Sequence, residues 1–175
     1  MVTLNLKEKV LLVMFTLWYL LAIQFFGQQM INDNSSVIAE GNIFKTKEIM
    51  FLFLNAIILL CAITFLLFQA FLYRFIILLF KPNKYPSIFL SYFYLIIGYL
   101  PFSLTIIILN FINQEYVYII STSLYSKIPF TIIVNLIYIL LIVRKGMLDI
   151  KKSLVCALFL MLLNGVILFI NFNLS

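Results

Sequence analysis

The sequence predicts an all-α, polytopic integral membrane bundle of five transmembrane helices, and three observations carry that prediction. Of 175 residues, 65% are hydrophobic and 10% charged, with a mean hydropathy of +1.18. Soluble domains run at about 45–50% apolar and about 25% charged residues. Second, the apolar residues gather in runs near the ~20 that a helix needs to cross a ~30 Å hydrocarbon core. Third, the runs are continuous and lack the alternation of barrel strands. With backbone groups cut off from water, the helix is the solution that remains.

The runs lie at residues 10–26, 49–73, 86–111, 128–143 and 153–172, within one transmembrane domain covering 1–175. The first and fourth are near the lower length limit. If the second helix continues through Arg74 to Phe80 it reaches about 48 Å at about 1.5 Å per residue. It then either tilts or turns residues 75–80 into the interface. Pro82 and Pro86 stop it. The third run is rich in tyrosine (Tyr92, Tyr94, Tyr99) and carries Gly98 and Pro101. A proline removes a backbone donor and crowds the preceding turn, so Gly98 and Pro101 form a candidate hinge. Ser91, Ser103 and Thr105 stand near enough in sequence to serve the freed carbonyls. The plainer reading is an ordinary kinked span.

Loop 27–48 is the one sizeable polar segment, with Gln28-Gln29 and Asn32-Asp33-Asn34-Ser35-Ser36. Asn34-Ser35-Ser36 and Asn173-Leu174-Ser175 match a glycosylation acceptor pattern. An unmodified loop is expected, because the Ile/Phe/Asn/Lys-heavy composition fits an AT-rich bacterial genome and a bacterial cytoplasmic membrane. Residues 43–48 suit an amphipathic entry to the second span. Segment 113–127 is semi-apolar and too short to cross; it reads as interfacial or re-entrant. Lys7 and Lys9 precede the first span, but Gln24-Phe25-Phe26-Gly27-Gln28 offers no small-x-small cleavage site, so a signal anchor is expected rather than a signal peptide.

Charge sets the orientation. With the N-terminus inside, Lys7, Lys9, Arg74, Lys81, Lys84, Arg144, Lys145, Lys151 and Lys152 are cytoplasmic, nine of the twelve cations. Only Lys45, Lys47 and Lys127 face the other side, against Asp33, Glu40, Glu48 and Glu115. This is the positive-inside pattern and gives N-in, C-out. Arg74, Lys81 and Lys84 form one basic group, and Arg144, Lys145, Lys151 and Lys152 a second. Anionic headgroups of the inner leaflet attract such clusters by about 1 kcal/mol per cation. The sharper alternative is a dock for an acidic partner. Nothing points to nucleic acid.

The residue inventory argues against an enzyme. Histidine is absent, which removes Ser-His and Cys-His pairs. No carboxylate lies in mid-span, and no glycine-rich phosphate loop is present. Cys61 and Cys156 sit in apolar runs as packing residues. No catalytic, cofactor or metal site is expected. The polar residues within spans are Asn55, Thr64, Gln69, Thr105, Asn110, Asn135 and Asn164. Such groups bond across helices for about 0.6 kcal/mol each; the functional alternative is a neutral cavity for a polar solute. Five glycines without a Gly-x-x-x-Gly pair in a span leave few close helix crossings.

Phe71-Leu72-Tyr73-Arg74, the basic turn Lys81-Pro82-Asn83-Lys84, then Ser91-Tyr92-Phe93-Tyr94 and Gly98-Tyr99-Leu100-Pro101-Phe102 follow one another. This layout resembles the bacterial Yip1-like membrane proteins, most clearly over residues 49–111 and in topology elsewhere. The resemblance implies a five-span, non-catalytic accessory subunit. Some such proteins work beside ABC exporters that protect cells from antimicrobial peptides, which implies an ABC permease and ATPase as partners. Small basic polytopic proteins also serve as bacteriocin immunity factors. The alternative from the intramembrane amides is a small-solute transporter or its substrate-binding subunit. Against that stands the lack of internal repeats and ion-binding carboxylates.

Overall fold

The computed structural model describes residues 1–33 and 46–174. Its helices are α1 (Leu6–Asp33), α2 (Lys47–Leu79), α3 (Ile88–Ile112), α4 (Gln114–Thr122), α5 (Leu124–Arg144) and α6 (Ile150–Leu174). All except α4 are long and apolar enough to cross a membrane, which makes five candidate spans. The fold is therefore all-α with five membrane-spanning helices. Both glycosylation tripeptides, and residues 43–45 of the expected entry to the second span, fall wholly or partly outside the described residues.

The helices outrun the apolar runs because their ends are capped in polar sequence. Asn5 and Glu8 form a reciprocal capping box: the Glu8 N–H donates to Asn5 Oδ1 at 2.8 Å and the Asn5 N–H to Glu8 Oε2 at 2.9 Å. This starts α1 well before residue 10. Thr46 caps α2, Ser87 caps α3 and Asn113 caps α4. α2 does continue through Arg74, as one helix of 33 residues, about 50 Å at about 1.5 Å per residue. Lys81, at φ 48°, and Pro82 then turn the chain. α5 begins at Leu124 and runs through Pro129. Near its start the Ser126 hydroxyl faces the carbonyls of Ser123 and Ile120.

α3 is the hub. It packs on α1, α2, α4 and α5, while α6 packs on α5 and α2. Gly98 permits a close approach to backbone: a Cβ there would lie 3.0 Å from the Val134 carbonyl oxygen of α5. Gly27 likewise lies against Ile58. The main core holds Leu66, Tyr73, Tyr94, Leu95, Tyr138 and Leu160 among others. A smaller cluster at the far end joins Ala22, Ile106, Ile107 and Val117, and seats α4 on α1 and α3. At nine residues α4 is too short to cross.

At the other end, short connections are tied together. Val2 pairs with Pro86, its N–H donating to the Tyr85 carbonyl at 2.8 Å and its carbonyl accepting from Ser87 N–H at 3.1 Å. The Asn83 N–H donates to the Met147 carbonyl at 2.8 Å. These bonds bring both basic groups onto one end of the bundle.

Candidate functional site

The site grows out of one repeat on α2. Gln69 and Tyr73 are four residues apart and share a helix face. That face turns inward, where both are buried. Gln69 Nε2 donates to the Tyr73 hydroxyl at 3.3 Å, and Gln69 Oε1 accepts from the Tyr99 hydroxyl of α3 at 2.8 Å. The Tyr73 hydroxyl donates to Asn135 Oδ1 of α5 at 2.5 Å. Asn164 of α6 donates through Nδ2 to the Tyr73 hydroxyl at 2.6 Å and to Asn135 Oδ1 at 3.0 Å. Tyr73 thus gives one hydrogen bond and accepts two, the full capacity of a hydroxyl. Four helices are joined through five neutral side chains. α1 joins through ring contact of Tyr19 with Tyr99, at 5.4 Å between centroids, and through Thr16 and Tyr92, whose hydroxyls are 3.3 Å apart.

Beside this network lies a second group of polar atoms. The Tyr138 ring meets Tyr73 edge to face, 4.9 Å between centroids. Asn135 Nδ2 and the hydroxyls of Tyr138, Ser91 and Tyr94 are buried without a well-formed hydrogen bond among the described residues. Turning the Asn135 and Asn164 amides over together preserves the network but leaves Asn135 Oδ1 unpaired instead. One polar atom of Asn135 is orphaned either way. A buried polar group left unpaired costs about 1–3 kcal/mol.

Of the intramembrane residues singled out from sequence, the fold brings Gln69, Asn135 and Asn164 together. Thr64 is exposed and its hydroxyl bonds the Leu60 carbonyl of its own helix at 2.9 Å. Asn55 is half-buried with Oδ1 unpartnered, and Asn110 is half-buried near the end of α3. Ser103 and Thr105 bond the carbonyls of Tyr99 and Pro101, both at 2.9 Å. Neither reaches the Ile97 carbonyl that Pro101 leaves without its usual donor. Gly98 and Pro101 lie within one uninterrupted helix. The tyrosines Tyr73, Tyr99 and Tyr138 are the members that sequence reading missed, since tyrosine suggests the interface. Spacing from an amide on the same helix, Gln69 to Tyr73 and Asn135 to Tyr138, is the signal that finds two of them; Tyr99 has no such neighbour on α3.

The basic end has its own order. Lys145 Nζ donates to Glu8 Oε1 at 2.9 Å, pinning the end of α5 to the start of α1. Arg74 Nε donates to the Pro86 carbonyl at 2.9 Å, and Lys152 Nζ to the Lys81 carbonyl at 3.3 Å. Asn83 Nδ2 donates to Asp149 Oδ1 at 3.2 Å. Lys81, Lys84, Arg144 and Lys151 are exposed around these ties, with Lys7 and Lys9. Among the described residues no three Cys, Asp or Glu side chains gather as a metal site would need.

Fold and site together define a polytopic helical membrane protein with a neutral polar core. No family model, no curated protein and no solved structure matches the chain.

Proposed function

We propose that this protein is a non-catalytic accessory subunit of the bacterial cytoplasmic membrane. It assists an ABC exporter or confers immunity to an antimicrobial peptide such as a bacteriocin. The observation that carries this reading is the use made of the mid-span polar groups. Gln69, Tyr73, Tyr99, Asn135 and Asn164 bond one another across four helices, and none of them is ionisable near neutral pH. Such an interior holds a bundle together and offers no proton- or ion-coupling group. The Yip1-like layout of residues 49–111 and the basic end, facing an anionic inner leaflet, support the same class. In this reading Gly98 and Pro101 give α3 its point of bending.

The test deletes the gene in its host and challenges the cells with cationic antimicrobial peptides, while the tagged protein is purified in mild detergent. Sensitisation, or co-purification of an ABC permease with its ATPase, is expected. Unchanged sensitivity with neither subunit present contradicts the reading. Orientation is tested with a membrane-impermeant thiol reagent on intact cells. A cysteine at Ser35 is expected to react and one at Lys84 or Lys151 to stay protected; the reverse pattern inverts the topology.

The unpaired atoms of Asn135, Ser91, Tyr94 and Tyr138 favour a second reading, a small-solute carrier or its binding subunit. It requires Asn135→Leu with Asn164→Leu to abolish uptake of a solute without unfolding the protein.

A further inference from the structure

We infer that the bundle contains a built internal binding site for a small uncharged molecule that both donates and accepts hydrogen bonds, held by Asn135, Tyr138, Ser91 and Tyr94. The inference goes beyond the accessory role and does not depend on it.

Ser91, Asn135 and Tyr138 are 0% exposed and Tyr94 2%. Each leaves a polar side-chain atom unsatisfied by the protein. They are not scattered. Asn135 and Tyr138 are three residues apart on α5, and Ser91 and Tyr94 three apart on α3, so each pair shares a helix face. α3 and α5 pack directly together; Tyr94 and Tyr138 belong to one core cluster with Cys156 of α6 and Tyr73 of α2, and Ser91 and Asn135 are buried about one turn before them on the same two helices. The Tyr138 hydroxyl lies beside Ser91 Oγ without meeting hydrogen-bond geometry. Of these four groups, all except the Asn135 amide are hydroxyls, able to give or accept.

The chemistry at this place selects its occupant. No charged side chain among the described residues is fully buried, and Glu8, a charge that reaches Tyr94, is paired with Lys145, so an ion would lie there uncompensated in a low-dielectric interior. An apolar guest would leave all four polar groups unpaired. A buried water typically makes about three hydrogen bonds, so one or two water-sized molecules satisfy the set. Water and a small solute such as urea or glycerol share this chemistry.

The intact protein in lipid nanodiscs is exposed to a short X-ray pulse, which generates hydroxyl radicals from water bound beside a side chain; oxidation is read by mass spectrometry. Tyr94 and Tyr138 are expected to be oxidised several-fold more than Phe93, a buried aromatic residue next to Tyr94 on α3. The double variant Ser91→Ala, Asn135→Leu is expected to bring both tyrosines down to the Phe93 level. Its helical circular dichroism and elution as a single species establish that it is folded. Protection of the wild-type tyrosines by added urea or glycerol assigns the site to a solute, and unchanged oxidation assigns it to water. Tyr94 and Tyr138 oxidised no more than Phe93 in the wild-type protein overturns the inference. A wild-type signal that persists in the folded double variant also overturns it.

Discussion

α2 and α3 meet the same criteria for a membrane span, yet they occupy opposite positions in the molecule. α2 is the more apolar, with a mean hydropathy of 2.7 in its best stretch against 2.2 for α3. Only 6% of that stretch of α2 is buried, against 33% for α3. In water the more apolar helix would be the inner one. Lipid tails are as apolar as leucine, so burial there gains nothing from hydrophobicity alone, and close packing and polar contacts decide which helix is central. α3 has Gly98, Ser91, Ser103 and its tyrosines to offer. The first half of α2 offers Phe, Leu and Ile, and Leu52 and Leu60 remain exposed. The second half of α2 turns one face inward, with Leu66, Gln69, Ala70 and Tyr73 buried.

This contrast is broken most strongly at Gly98. Its absent side chain leaves room for the Val134 backbone, which cannot yield as a side-chain tip does. Gly98→Leu is expected to cost about 3 kcal/mol or more, seen as loss of the folded, monodisperse species in detergent. Leu60→Ala on the N-terminal half of α2 is expected to stay within about 0.5 kcal/mol. Equal effects at the two positions would remove the hub role of α3.

The next largest effect compares two polar residues that sequence alone ranks together. Asn135→Leu strips the acceptor from Tyr73 and Asn164 and is expected to cost about 1–3 kcal/mol. Thr64→Leu, whose hydroxyl bonds its own helix and faces outward, is expected to change stability by about 0.5 kcal/mol or less. Unfolding by SDS titration in mixed micelles measures both. A double-mutant cycle of Asn135→Leu with Asn164→Leu should give less than the sum of the singles, because both act on one network.

The spans were legible because apolar length is a direct physical requirement of the bilayer, and all five runs became helices. The ends were less legible. The capping box of Asn5 and Glu8, and the passage of α5 through Pro129, depend on local hydrogen bonds that hydropathy does not register. The site was half legible. Gln69, Asn135 and Asn164 stand out as amides among apolar residues, but nothing in one dimension says that they meet while Thr64 faces outward. Tyr73, Tyr99 and Tyr138 were hidden because a tyrosine is equally at home at the headgroups. The two basic groups were legible as charge, and the bonds that join them were not. Glu8 and Asp149, the two acids at that end, supply two of the ties.

The smallest expected effect lies there. Glu8→Gln keeps a side-chain oxygen to cap α1 but loses the ion pair with Lys145, and about 0.5 kcal/mol is expected. The loss should shrink as salt is raised, in the same SDS titration repeated at two ionic strengths.

The central claim is that lipid surrounds the N-terminal half of α2 while the face of α3 that carries Ser91, Leu95 and Ser103 is enclosed by protein. Single nitroxide labels at Leu52, Ile57 and Leu60 on α2, and at Ser91, Leu95 and Ser103 on α3, measure it through collision with oxygen dissolved in the bilayer. The account predicts high oxygen accessibility at the three α2 positions and low accessibility at the three α3 positions. Equal accessibility at the two sets of positions, or greater accessibility at the three α3 positions, would contradict it.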